Sequence, residues 1–127
     1  LRGKRVFVID DDPRNVFALT SVLELYGLSV THAVDGRHWI EVLRRGAFDL
    51  VLLDIVMPNL DGYATAGAIR SVPELAGLPI IAVTARAMQE GRDKSIAAGA
   101  SDYITEPVDA ETLLARMEDW LATPGEV

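Results

Sequence analysis

Short runs of consecutive apolar residues alternate along the chain with longer stretches in which apolar residues recur every three or four positions. Arg5 to Ile9 (R-V-F-V-I) is β-branched and aromatic and stops at acids, the pattern of a buried strand. Pro13 suits the first turn of a helix with Asp12 as its N-cap. Val16, Leu19, Leu23 and Tyr26 mark the apolar face of that helix, and Gly27 ends it as a C′ residue. Leu28 to Ala33 alternates as a second strand, and Gly36 to Arg45 reads as a helix closed by Gly46. Asp49 to Leu53 is nearly all apolar, as a strand buried on both faces should be. Met57 to Gly62 predicts a loop, followed by a helix to about Val72. Pro79 to Val83 is a fourth strand, Ala87 to Ala98 a helix with Gly99 as its stop, and Asp102 to Thr105 a short fifth strand. Leu113, Leu114, Met117 and Leu121 give a last amphipathic helix, and residues 123–127 read as a tail or linker.

Five β-α units in this order predict parallel strands with helices on both faces. Right-handed crossovers leave only open doubly wound sheets and barrels, and five units are too few for the eight-fold barrel. The fold class is therefore α/β with an open sheet, whose ligands bind at the carboxyl ends of the strands.

Composition narrows the function. A length of 127 residues predicts one domain, 1–122, ahead of the tail. The formal charge of −7, from 19 acidic and 12 basic side chains, argues against nucleic acid or an anionic membrane as the main partner. The absence of cysteine excludes a disulfide scaffold, a thiolate metal site and thiol catalysis, and fits a reducing cytoplasm. No apolar run approaches the ~18 residues of a membrane span and no signal-peptide pattern opens the chain, which predicts a soluble cytoplasmic protein. A start at Leu1 rather than Met fits a domain cut from a longer protein.

The carboxyl ends of the predicted strands carry the candidate chemistry. Strand one ends in Asp10, Asp11 and Asp12, strand three in Asp54, strand four in Thr84, and strand five runs into Glu106-Pro107. Any single Asp at a strand end is usually a cap or a turn former, and Asp12 fits that role. Several carboxylates converging on one rim from distant segments are a different matter, because like charges that close need a cation. An all-oxygen set without His or Cys favours a hard cation, and a few carboxylates plus water suit Mg²⁺. Mg²⁺ with open positions is a usual partner of phosphate oxygens. The residues by themselves thus predict a Mg²⁺-dependent phosphate-handling site with an aspartate as acceptor and the Thr84 hydroxyl near a phosphoryl oxygen.

Four segments together resemble the receiver domain of two-component response regulators: V-I-D-D-D-P at 8–13, L-L-D-I-V-M-P-N-L-D-G at 52–62, I-A-V-T-A at 81–85 and A-G-A-S-D-Y-I-T-E-P at 98–107. The resemblance runs from about Lys4 to Leu121, and the endings at 87–92 and 102–109 look most like receivers attached to hybrid sensor histidine kinases. It implies a flavodoxin-like (βα)5 fold with sheet order 2-1-3-4-5. It also implies that Asp54 is a phosphoacceptor served by a histidine kinase or histidine phosphotransfer protein. Asp11, Asp54 and the Val56 backbone carbonyl would ligate Mg²⁺, with Asp10 acting through a water. Thr84 and Tyr103 resemble the switch pair, the Glu106–Pro107 bond would be cis, and the last two helices would be the surface for an effector or for a homodimer. Such a domain takes part in its own phosphorylation without being an enzyme in the ordinary sense.

One position departs from the family. The residue before Pro107, a lysine in receivers, is Glu106, and the only lysines are Lys4 and Lys94. At about 5 Å and an effective dielectric of about 20, each unit-charge pair is worth about 3 kcal/mol, so the exchange turns an attraction into a repulsion that solvent would reduce. Arg14 and Arg86 are the candidate replacement cations. Two readings follow: a phosphoacceptor with an altered switch, or a degenerate pseudo-receiver serving as a phosphorylation-independent interaction module. The D-x-D spacing of Asp10 and Asp12 also resembles haloacid-dehalogenase-type phosphatases, but Pro13-Arg14 breaks that pattern. No G-x-x-x-x-G-K-[ST] phosphate loop occurs. His32 reads as a packed or edge residue of its strand, His38 lies outside any bundle pattern, and Trp120 reads as packing the last helix or lying at its rim.

Overall fold

The apolar runs become the strands of one parallel sheet, and the amphipathic stretches become the helices that cover it. The computed structural model describes residues 3–10, 12–33, 39–54, 56–57, 60–84, 93, 96–105 and 109–121. In chain order the elements are β1 (Arg5–Ile9), α1 (Pro13–Leu25), β2 (Ser29–Ala33), α2 (Trp39–Gly46), β3 (Leu50–Asp54), β4 (Val56–Met57), β5 (Leu60–Asp61), α3 (Gly62–Arg70), a 3-10 turn (Pro73–Leu75), β6 (Ile80–Thr84), β7 (Asp102–Thr105) and α4 (Ala110–Leu121). Residues 93 and 96–98 are helical, inside the helix predicted to end at Gly99. The sheet runs β2-β1-β3-β6-β7, which is 2-1-3-4-5 when only its own five strands are counted, and every pair is parallel. This is the flavodoxin-like doubly wound order that the family resemblance implies.

Strand alternation divides the core into two layers. Phe7, Ile9, Val51, Leu53, Ile80 and Ala82 pack with Trp39 and Leu43 of α2, with Ala66 and Ile69 of α3, and with Leu75. Val6, Val8, Leu50, Leu52, Ile81 and Ile104 pack on the other side with Leu19 and Leu23 of α1 and with Leu113 and Met117 of α4. All five residues of β3 are buried, as the central strand of a sheet covered on both faces requires.

The ends of α1 follow from its sequence. The Asp12 side chain accepts the Arg14 backbone N–H at 2.9 Å, and Pro13 occupies the first turn. At the far end Gly27 has φ +85°, Leu28 N–H donates to the Leu23 carbonyl, and Gly27 N–H donates to that of Glu24. These two bonds make a Schellman stop. Tyr26 caps the helix half exposed, so it is not part of the buried face assigned to it from the sequence; that face is Val16, Leu19 and Leu23.

Gly46 also differs from expectation. It is the last residue of α2, and the left-handed residue beyond it is Ala47, with φ +51°. A Cβ on Gly46 would overlap the ring of Phe48, which lies 5.0 Å from the Phe7 ring and beneath the Arg5 guanidinium at 4.9 Å. Arg5 Nη1 in turn donates to the Gly46 carbonyl. The glycine is required by this close approach rather than by the turn.

Arg70, at the end of α3, pins the amino-terminal side of the sheet. Its Nε donates to the Gly99 carbonyl at 2.7 Å, and its Nη1 to the carbonyls of Leu75, Ala76 and Leu78 at 3.2, 3.1 and 2.6 Å. Its Nη2 donates to Ser101 Oγ at 3.0 Å, and that oxygen accepts the Ile80 backbone N–H at 3.1 Å. The side chain passes so close to Gly99, whose φ is +122°, that a Cβ there would sit 2.7 Å from Arg70 Cγ. The starts of β6 and β7 are thereby fixed, while their carboxyl ends lie at the opposite rim.

Candidate functional site at the carboxyl rim

Parallel register assembles the rim. Ile9 pairs with Leu53, so Asp10 and Asp54, the next residue of each strand, stand side by side across one strand spacing of about 4.8 Å. Asp54 pairs with Val83 on its other side, which puts Thr84 one residue further out, and Thr84 pairs with Thr105. Asp10 and Asp54 continue the alternation of Val6, Val8, Leu50 and Leu52, and so belong to the same face of the sheet. They are 3 % and 6 % exposed.

Carboxylates buried this deeply repel one another unless a cation or hydrogen bonds offset the charge. One such bond is local: Asp10 Oδ1 accepts the Asp12 backbone N–H at 2.9 Å. Asp12 itself is turned to α1. Its carboxyl is held below the ordinary aspartate range by the Arg14 backbone N–H, then by the Arg14 side chain, whose Nε lies 3.4 Å away. The Arg14 side chain thus engages Asp12 at the helix cap. Arg86, the other candidate cation, lies outside the described residues.

The donor set can be tested against a metal. Asp10 and Asp54 offer adjacent, buried, all-oxygen ligands, and the chain has no cysteine to compete for a soft ion. That chemistry fits a hard cation such as Mg²⁺. Among the described residues no third His, Asp or Glu completes a cluster. Asp11, expected as a ligand, lies outside the described residues, as do Glu106 and Pro107. The backbone of Val56 is placed in β4, a two-residue strand antiparallel to β5, with Val56 opposite Asp61. This small hairpin occupies the stretch expected to be only a loop.

Tyr103, on β7, is half buried against the layer that contains Phe7 and Ile9. With Ile104, Thr105, Asp109, Thr112 and Arg116 it lines a groove of about 250 Å³ between β7 and α4. Asp109 begins α4 by accepting the Thr112 N–H at 3.0 Å and the Thr112 hydroxyl at 2.9 Å. Sequence reasoning missed the neighbour of this groove. The Asp102 carboxylate accepts the Tyr103 N–H at 2.8 Å, Arg116 Nη1 at 3.2 Å and the Trp120 indole N–H at 3.0 Å. Trp120 is thus held at the rim of α4 by a polar bond rather than by burial. His32 is exposed on β2, the edge strand, as expected.

Comparison with known proteins agrees with this geometry. A family model described as the response regulator receiver domain matches residues 6–118. The chain is 36 % identical over 118 residues to protein PilH of Pseudomonas aeruginosa, covering 93 % of this chain and 98 % of that one. It is 34 % identical over 122 residues to the sensor protein GacS of Pseudomonas syringae pv. syringae, covering 94 % of this chain but only 14 % of GacS. Among solved structures, the receiver domain of the sensor histidine kinase PA1611 from Pseudomonas aeruginosa PAO1, with a magnesium ion coordinated in its active site cleft, superposes with a TM-score of 0.86. Identity to that domain is 30 %, over 95 % of this chain and 99 % of that one. No helix among the described residues is long and apolar enough to cross a membrane.

Proposed function

The chain belongs to the response regulator receiver domain family of two-component signalling, and on that premise we propose that Asp54 is its phosphoacceptor. A carboxylate oxygen of Asp54 attacks the phosphorus of a phosphohistidine on a histidine kinase or histidine phosphotransfer protein. The phosphorus–nitrogen bond breaks, the imidazole nitrogen leaves, and Asp54 becomes an acyl phosphate. Asp54, Asp11 and the Val56 carbonyl are the residues that would hold Mg²⁺, with Asp10 through a water. When bound, the ion supplies positive charge against the carboxylates and the transferring phosphoryl group. Thr84 and Tyr103 are the switch pair, and the domain acts as a signalling module of residues 1–122 on the cytoplasmic side, passing its state to an effector or a second copy through the face of the last two helices.

The observation that carries this reading is the burial of Asp10 and Asp54 side by side at the carboxyl ends of adjacent strands. A pair of buried carboxylates is costly in the fold unless positive charge or hydrogen bonds meet it, and a cation that offsets it also suits a phosphoryl group. Incubation with acetyl phosphate and Mg²⁺ should add one phosphoryl mass to the intact protein and none to Asp54→Asn.

Glu106 favours the second reading, a pseudo-receiver whose contacts do not depend on phosphorylation. The two separate in one comparison. A wild type that stays unmodified while Glu106→Lys gains the phosphoryl mass sinks the competent-acceptor reading. A wild type that is modified, at a rate Glu106→Lys increases, supports an acceptor with a weakened switch. The acyl phosphate, once formed, should persist, because Val56, two residues after Asp54, cannot orient a water, and Arg86 occupies the matching position after Thr84. A half-life of seconds by phosphate release contradicts that expectation.

A further inference from the structure

Asp12 stands between the carboxylate rim and α1 and is bonded to both. Its backbone N–H donates to Asp10 Oδ1 at 2.9 Å, its carbonyl accepts the Val16 N–H at 3.1 Å, and its side chain accepts the Arg14 N–H at 2.9 Å. The last two bonds make it the N-cap of α1. The first reaches back to a carboxylate at the end of β1.

These bonds act together. Residue 12 has extended backbone, φ −95° and ψ 110°, the conformation in which an N-cap turns its own side chain onto the helix. The same conformation fixes its N–H relative to α1. The helix in turn is seated on the sheet by Val16, Leu19 and Leu23, buried in one layer with Val6, Val8, Leu50 and Leu52. Asp10 and Asp54 continue that face of the strands. The docked helix therefore holds the residue-12 N–H, and the N–H holds one oxygen of the buried Asp10 carboxylate.

The Arg14 guanidinium adds little to this. Its side chain is 92 % exposed and lies 3.4 and 3.5 Å from the Asp12 oxygens, whereas its backbone N–H is present whatever residue stands there. The capping oxygen of residue 12 is the part that sequence can change.

We propose that Asp12 is a positioning residue for the cation site: by capping α1 it keeps its N–H on Asp10 Oδ1 and so orients the Asp10 carboxylate before the ion arrives. This rests on the reading of the rim as a Mg²⁺ site in which Asp10 acts through a water. A carboxylate already oriented does not have to be ordered on binding. Once the cap is lost, affinity falls by the fraction of molecules in which the turn is still formed. Asp12 acts through Asp10 and is not itself a ligand, since its own carboxylate is committed to the helix.

Titration of the isotope-labelled 127-residue chain with magnesium chloride at constant ionic strength, followed by amide NMR, tests it. Asp12→Asn and Asp12→Ala both remove the charge, but Asn caps a helix as well as Asp does and Ala does not, so their difference reads the cap alone. Asp12→Asn should weaken Mg²⁺ binding by no more than about threefold, from the lost charge, and Asp12→Ala by about fivefold further. In the metal-free protein the residue-12 amide should exchange with water at the wild-type rate in Asp12→Asn and about tenfold faster in Asp12→Ala. Gly27→Ala strains the left-handed stop, φ +85°, at the far end of the same helix. It should lower the melting temperature as Asp12→Ala does and leave Mg²⁺ affinity unchanged. Equal affinities in Asp12→Asn and Asp12→Ala overturn the proposal. So does a loss in Gly27→Ala that matches the loss in Asp12→Ala, because the effect is then one of general stability. A wild type whose amides show no saturable response to Mg²⁺ overturns the metal site itself and the proposal with it, which tells that failure apart from the other two.

Discussion

A guanidinium that donates to four backbone carbonyls and a serine hydroxyl is not interchangeable with an ammonium, because only the planar fork reaches all of them. Arg70→Lys should therefore cost about 2–3 kcal/mol in urea unfolding, from lost charge-assisted bonds and stranded carbonyls. A loss within experimental error would show that water replaces the fork. Burial draws the Arg70 pKa down from the ordinary arginine value, but by a route that leaves it charged at neutral pH, so this contribution is flat across that range. Asp12 behaves differently. Its folded pKa is depressed by the Arg14 N–H and side chain, so its contribution is present above about pH 4 and is lost as pH falls through the folded value. Asp12→Asn should lie below wild type in melting temperature above pH 4 and converge with it at the acid end, as thermal melts at successive pH values would read. Asp10 and Asp54 were legible in the sequence because apolar strands ran straight into them. Arg70 was not, because its partners are carbonyls brought to it from residues 75, 76, 78 and 99 only by folding.

At the scale of elements, the Asp102 carboxylate joins β7 to α4. It holds the Tyr103 peptide N–H on its own strand and Arg116 and Trp120 on the helix. The side chain of Asp102 is mostly shielded while that of Arg116 is half exposed, so this pair is stronger than a surface ion pair and weaker than a buried one. Asp102→Ala should cost about 1–2 kcal/mol and raise hydrogen exchange in α4 ahead of that in β3. Uniform loss of protection across both would contradict a local joint. The elements themselves were readable where periodicity was long enough. Arg5 to Ile9 and Asp102 to Thr105 declared themselves by composition, and α1 by its cap, its proline and its glycine. Gly46 misled because a glycine at a helix end reads as a stop, whereas Phe48 required it from across the turn. The β4–β5 hairpin was invisible because two-residue strands have no period to detect. The Asp102 joint was invisible because its partners on α4 lie 14 and 18 positions further along the chain.

For the whole molecule, a sheet closed on both faces leaves its strand ends as the place where charge can be concentrated. The Arg70 network secures one end and the carboxylate pair occupies the other, so ligation at the rim should read out as global stability. Millimolar Mg²⁺ should raise the melting temperature by stabilising the native state by about 1.4 kcal/mol at ten times the dissociation constant. That gain should vanish in Asp54→Asn and shrink in Asp10→Asn; an equal gain in all three would assign it to general salt screening. The same closed sheet divides the two tryptophans. Trp39 is buried in the layer beneath α2, whereas Trp120 stands 41 % exposed on α4 with its indole N–H on Asp102. A water-borne quencher such as iodide therefore meets one indole in the native protein and both only after the Trp39 layer opens. With Trp120→Phe and Trp39→Phe in hand, emission becomes a separate optical channel for each side of the sheet, and an event at the rim can be followed to the helix that feels it.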